Sequence, residues 1–154
     1  MSENINTIPQ GYTSVTPVFV SNDTEALLRF LENAFGAKTI SKFPMPDGSG
    51  IAHAVSQIGN AQIMLNDVMG SGSGENRAAA TKTNTYLYVD DPDTVVEKAE
   101  AAGAKVVKPV EDAFWGDRWG IIEDPFGNHW QIAAHQTDVR EEDLPELMTK
   151  AMSG

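Results

Sequence analysis

At 154 residues, with 41% hydrophobic and 21% charged side chains, the chain is long enough to bury a real core, as one domain or as two tightly associated halves. It has no cysteine, which excludes a disulfide framework, a thiolate nucleophile and a thiolate metal site, and suits the cytoplasm. A net charge of −11 repels polyphosphate, so the expected partner is a small molecule, attracted more if cationic, and not nucleic acid. No apolar run reaches membrane-spanning length, and the N-terminus lacks the charged start and apolar core of a leader, so no membrane partner is expected.

Residues 1–13 are polar, with Pro9 and Gly11, and read as a lead-in. Val15 to Val20 alternates as a strand does, with Pro17 implying an edge or a bulge. Asn22 or Asp23 caps the helix that follows, and Glu25 lies three residues after Asn22 as a capping box requires. Leu27, Phe30, Leu31, Ala34 and Phe35 recur at helical spacing, and Gly36 supplies the stop. Lys38 to Phe43 is extended, Pro44 to Gly48 is a turn, and Ile51 to Ile58 and Ala61 to Leu65 are strands around Gly59-Asn60. Residues 14–67 therefore form a β-α-β-β-β unit. Residues 68–83, rich in Gly, Ser, Ala and Asn, read as a mobile linker or as a lid that orders over a ligand.

Residues 84–136 then replay the unit. A strand at Thr85 to Val89 leads to Asp91 as cap and Pro92 at the first helical position, with Val95, Val96, Ala99 and Ala102 as the buried stripe. Gly103 ends that helix, and strands follow near Lys105 to Val110, Trp119 to Glu123 and His129 to Ala134. Matched points of the two halves are offset by 69, 67 and 68 residues: Val20 with Val89, Gly36 with Gly103, Gly59 with Gly127. In the tail, 137–154, Leu144, Leu147, Met148 and Ala151 recur as in a short helix packed on a neighbour. The fold class is α+β: two paired βαβββ units, each curving a mixed sheet, with a site expected where the copies meet.

Three further signals are specific. Asp124-Pro125-Phe126-Gly127-Asn128 before the last strand, the paired units, and the run Phe114-Trp115-Gly116-Asp117-Arg118-Trp119-Gly120 resemble the vicinal oxygen chelate superfamily of glyoxalases, bleomycin-resistance proteins and dioxygenases. Phe35-Gly36-Ala37, Met45-Pro46-Asp47-Gly48 and His53-Ala54 bring the resemblance closer to its PhnB-like branch. The resemblance implies that each unit curls into a cup. In catalytic members four His or Glu residues, one from each of four strands, hold a divalent metal. The four positions fall here on Thr16, Met64, Asn84 and Gln131. None of these is His, Asp or Glu, so no cofactor is expected, a divalent metal being the alternative. The resemblance also implies a homodimer.

Among the histidines, His53 lies mid-strand between small residues, and is either a ligand-binding or basic group facing the cup or an inert structural imidazole. His129 opens a strand beside a turn and reads as solvated. His135, four residues from Gln131 on one strand face, reads as a surface group or a pocket rim. In the aromatic run, Trp115 and Trp119 offer stacking faces and Arg118 a fork for carboxylate or phosphate; alternatively the aromatics cover core and Asp117 pairs with Arg118 at a hairpin turn. Trp130, adjacent to Gln131, belongs to packing. The expected ligand-binding set is His53, Asn84, Trp115, Arg118, Trp119 and Gln131, a majority of them facing inward. Two functions fit: a metal-independent small-molecule-binding protein of bleomycin-resistance type, or a lyase, isomerase or dioxygenase-type enzyme, with or without an unusual metal set. Catalytic residues are not identified.

Overall fold

The computed structural model describes residues 5–68, 80 and 82–154. Most of the expected linker therefore lies outside the described residues. The chain divides into two compact units, Met1–Lys82 and Thr83–Gly154.

In the first unit, β1 (Val18–Ser21) leads to α1 (Thr24–Phe35), then β2 (Lys38–Pro44), β3 (Ile51–Ile58) and β4 (Ala61–Asp67). The strand order is β1-β4-β3-β2, with β1 parallel to β4 and the remaining neighbours antiparallel. Pro17 precedes the edge strand β1, where its missing N–H costs nothing, and its carbonyl accepts from Met64 N. The helix begins at Asp23, whose carboxylate accepts from Ala26 N at 3.0 Å. The expected capping box at Asn22 is not the device used: Ser21 Oγ takes the Asp23 N–H, and Glu25 instead binds Lys42 Nζ at 2.7 Å. Gly36, with φ of +67°, closes α1 in the left-handed conformation that a side chain would strain. Leu27, Leu28, Phe30, Leu31 and Ala34 are buried, as are Phe19, Ala54, Ile63 and Leu65 on the strands. The strand set alternates, so one sheet face is lost to the helix and the other carries Val18, Met64 and His53.

The second unit repeats this with β5 (Asn84–Tyr88), α2 (Pro92–Ala101), β6 (Lys105–Asp112), β7 (Asp117–Glu123) and β8 (His129–His135), in the order β5-β8-β7-β6. Asp91 caps α2 by accepting from Thr94 N, with Pro92 at the first turn. Helix α2 packs on β6, β7 and β8 and buries Val96 and Ala99 against a face bearing Ile122, Trp130 and Ile132. Of the expected stripe, Val95 and Ala102 are only half-buried. The turn before β8 is organised by Asp124, itself 3% exposed. Its Oδ1 accepts from Phe126 N and Asn128 N, and its Oδ2 from Asn128 Nδ2 and Trp130 Nε1, all near 3 Å. Asn128 Oδ1 in turn accepts from Thr83 N, tying the start of β5 to this turn.

The tail makes a short 3-10 turn at Glu141–Asp143 and then α3 (Leu144–Ser153). The helix forms where its spacing predicts, but no residue of it is buried, and Met148 and Met152 are exposed. The expected packing on a neighbour is not made among the described residues. No helix among them is long and apolar enough to cross a membrane.

Removing the Asp124 carboxylate leaves four inward-facing donors without their acceptor. Asp124→Ala is expected to cost about 3–5 kcal/mol, read by urea unfolding of the purified chain. A loss below about 1 kcal/mol would mean that water replaces the carboxylate and that this turn does not hold β8 in place.

Candidate functional site

The strand registers decide which side chains share a face. Tyr86 lies opposite Gln131, Asn84 opposite His129, Trp119 opposite Ala133 and Asp117 opposite His135. Successive strand residues point to opposite faces, so Asn84, Tyr86, Tyr88, Gln131, His135, Asp117 and Trp119 stand on the face turned away from α2. The registers also relate the positions that the family resemblance assigns in the two units to one another. Val18 lies opposite Met64 as Tyr86 lies opposite Gln131, so Met64 and Gln131 are equivalent, and Thr16 and Asn84, each two residues before the paired strand residue, are equivalent too.

Of the six expected ligand residues, four come together. Trp119 Nε1 donates to Gln131 Oε1 at 3.0 Å, and Gln131 Nε2 donates to Asn84 Oδ1 at 3.1 Å. An indole N–H only donates, which fixes the orientation of both amides. Trp115 meets Trp119 edge-on, with ring centroids 4.8 Å apart. Arg118 is on the other face. Its guanidinium binds both carboxylate oxygens of Asp93 in α2, at 2.7 and 2.9 Å, and Asp112 at 3.1 Å. Those carboxylates hold the guanidinium charged and complete its hydrogen bonding, so it is not presented beside the tryptophans. Neither is Asp117 its partner, because adjacent strand residues diverge; the β6–β7 turn is made by Phe114 and Trp115, not by Asp117 and Arg118. His53 belongs to the first unit, where it lies beside Phe43 with ring centroids 5.7 Å apart. Trp130 is 1% exposed and bound to Asp124, as packing requires.

Sequence reasoning missed the charged centre of this face. Asp117 is 3% exposed, and its Oδ2 accepts from Tyr86 Oη at 2.6 Å and lies 3.4 Å from Tyr88 Oη. Its Oδ1 meets His135 Nδ1 at 2.7 Å, while His135 Nε2 meets Asp138 at 2.7 Å. Trp115 Nε1 donates to Tyr86 Oη at 3.3 Å, which joins the aromatic run to the same centre. Burial alone raises the Asp117 carboxyl, but the bonds from Tyr86 and His135 outweigh it and hold the group below the usual carboxylate range. Burial, reinforced by Asp117, pushes the Tyr86 hydroxyl up, so it remains a phenol. Asp138 first, and then Asp117, raise His135 above its ordinary 6.5. Both ring nitrogens face carboxylates, which only accept, so the two bonds are made together when the ring is protonated. The i, i+2, i+4 spacing of Asn84, Tyr86 and Tyr88 was the signal available in the sequence.

The four residues that the family resemblance assigns to metal, Thr16, Met64, Asn84 and Gln131, do not carry donors that fit one. A hydroxyl, a thioether and two neutral amides lack the charge and basicity that offset a divalent cation's lost hydration. Gln131 Oε1 already accepts from Trp119, and the Asn84 oxygen from Gln131. Among the described residues, no three His, Asp or Glu side chains are grouped so as to hold an ion.

The comparisons agree with this architecture. The model of the glyoxalase/bleomycin resistance protein/dioxygenase superfamily matches residues 14–132, and the chain belongs to that family. An uncharacterized protein of Mycobacterium bovis is 32% identical over 146 residues, covering 92% of this chain and 95% of its own. A protein named as a glyoxylase from the same organism is 29% identical over 130 residues, covering 80% of this chain but 48% of its own. Among solved structures, TioX from Micromonospora sp. ML1 matches with a TM-score of 0.64 at 23% identity, over 79% of this chain and 99% of its own. A glyoxalase/bleomycin resistance protein/dioxygenase family enzyme from Burkholderia phytofirmans PsJN matches with a TM-score of 0.59 at 20% identity, over 77% and 94%. Those two structural likenesses establish the fold.

The Asp117–His135–Asp138 chain makes stability depend on pH. The folded-state pKa of His135 lies above 6.5, so its contribution is complete below about pH 6.5 and is lost as pH rises through the higher folded value. Asp117, held low, contributes above 3.8 and loses its contribution as pH falls through its folded value. His135→Gln is expected to remove the decline in Tm that sets in as pH rises above about 6.5, measured by thermal denaturation. An identical alkaline slope in the variant would mean that the imidazolium is not held by the two carboxylates in solution.

Proposed function

We propose that this chain is a metal-independent, small-molecule-binding member of its family, of the PhnB-like branch and of bleomycin-resistance type. The observation that carries the reading is the fate of the two metal-equivalent positions of the second unit. Asn84 and Gln131 are neutral amides joined to each other and to Trp119, and so form a hydrogen-bonding edge beside aromatic faces in place of an ion. A flat ligand stacks on Trp115 and meets the remaining amide donors of Asn84 and Gln131. Trp119 is less available for stacking, because Lys108 Nζ lies 4.7 Å from its ring centroid. Lys108, paired with Glu111, is the nearer cation for an anionic substituent, in place of the Arg118 expected from sequence. Homodimeric assembly and a cytoplasmic location belong to the same reading, supported by the family resemblance and by the lack of cysteine.

A second reading, a metal-independent lyase or isomerase, is favoured by His135 and Asp117: the buried carboxylate orients the ring through Nδ1, and a ligand that displaces the exposed Asp138 from Nε2 would meet an acid–base group there. The two readings agree about metal. Calorimetric titration of the purified chain with Zn²⁺, Ni²⁺ and Mn²⁺ is expected to show no saturable site at about one equivalent, and elemental analysis no stoichiometric metal. One tightly held ion per chain, lost on Asn84→Ala or Gln131→Ala, would overturn this reading and return the chain to the metalloenzymes of its family.

A further inference from the structure

An open cleft of about 330 Å³ lies at the carboxyl ends of β5 and β8, lined by Tyr88, Val89, Asp90, Ala134 and His135. None of these residues belongs to the amide and tryptophan edge described above. The cleft has an aromatic wall, since Tyr88 is 62% exposed and its ring stands 5.1 Å from that of Tyr86. Its hydroxyl lies 3.4 Å from the buried Asp117 carboxylate, which anchors one end of the exposed residue. Asp90 lines the cleft and is exposed.

The charges around the cleft have one dominant sign. Asp117 reaches His135 from β7, Asp138 reaches it from the tail, and Asp90 shares the cleft with it. Three carboxylates against one imidazolium leave a net negative site, and deprotonation of His135 makes it more so. An anion is therefore repelled whatever the state of the ring. A divalent metal is disfavoured as well, because the described His, Asp and Glu side chains form no group that could hold one. A cation that needs no inner-sphere ligands meets neither objection. It gains from a ring face, and a carboxylate at a few ångströms serves it as counter-charge.

We propose that this cleft is a second ligand site, for an organic ammonium ion that stacks on the Tyr88 ring with Asp90 as its counter-charge. The site goes beyond the proposed function and shares no residue with the Trp115 and Asn84–Gln131 edge.

The test is an NMR titration of the full isotope-labelled chain with choline, and with its neutral isostere carrying a tert-butyl group in place of trimethylammonium. Choline is expected to move the amide signals of Tyr88, Val89, Asp90 and Ala134 along a saturating curve, and the neutral isostere to move them far less. Asp90→Asn is expected to weaken choline about two- to fivefold, the worth of one partly exposed charge pair. Tyr88→Leu is expected to weaken it by a similar factor through loss of the ring face. Equal shifts from the two compounds, no saturable shift at these residues, or an Asp90→Asn affinity equal to that of the natural chain would each overturn the proposal. Asp90 is exposed and in no helix or strand, so its variant decides the question even if Tyr88→Leu does not fold. The indole signals of Trp115 and Trp119 report on the other site in the same spectra, so failure at either site is read separately.

Discussion

The open face of the second unit is arranged around the Asp117 carboxylate. An ionised side chain with 3% of its surface exposed is expensive unless its oxygens are satisfied, an effective penalty of several kcal/mol. Here the two oxygens divide the work: one takes the Tyr86 hydroxyl, with Tyr88 at a longer distance, and the other takes His135. Satisfying that one group fixes the orientation of two phenols and an imidazole on neighbouring strands. Tyr86 then becomes the acceptor for Trp115, so the indole nearest the β6–β7 turn is held by the same centre. Gly116 makes this geometry possible: with φ of +102° and a Cβ position that would fall 2.0 Å from the Thr137 carbonyl oxygen, it admits no side chain. Its own carbonyl accepts from Gln136 and Thr137, which sets the path that brings Asp138 to His135.

The other end of the face follows a different chemistry. At the positions where the family resemblance implies charged or imidazole donors, this unit places two amides and closes them with an indole N–H. A neutral, hydrogen-bonded edge has no need of a cation to be stable, and its amide donors still have ligand-binding capacity. The result is a face graded along its strands, with neutral amides at one end and a carboxylate-rich cleft at the other. On the proposed readings, the first end takes ligands that combine a flat ring with polar acceptors, and the second takes compact organic cations.

Much of this was legible in the sequence, for definite reasons. The duplicated order of strand, helix and three strands followed from apolar spacing and from punctuation at Gly36, Gly59-Asn60, Pro92 and Gly127. Asn84, Trp119 and Gln131 share a face because strand geometry alternates. The same rule argues against Arg118, which sits next to Trp119 and is carried to the helix side, where Asp93 and Asp112 hold it. The alternative pairing of Asp117 with Arg118 fails for a related reason: sequence neighbours on a strand diverge, and the partners of Asp117 come from 31 and 18 residues away along the chain. Contacts of that range depend on strand order, β5-β8-β7, which no local pattern encodes. The terminal helix shows the opposite case, since its spacing was sufficient to predict the helix but not what would cover it.

Central to the proposed function is that ligands are met by Trp115, Trp119 and the amides beside them. The three indole N–H groups stand in distinct settings: Trp115 bound to Tyr86, Trp119 to Gln131, and Trp130 buried on Asp124. Their NMR signals, followed during a screen of flat aromatic metabolites, measure that claim directly. The expected result is a saturable shift of the Trp115 and Trp119 indoles with Trp130 unmoved. Binding that shifts neither of the first two, or that moves only Trp130, would contradict it.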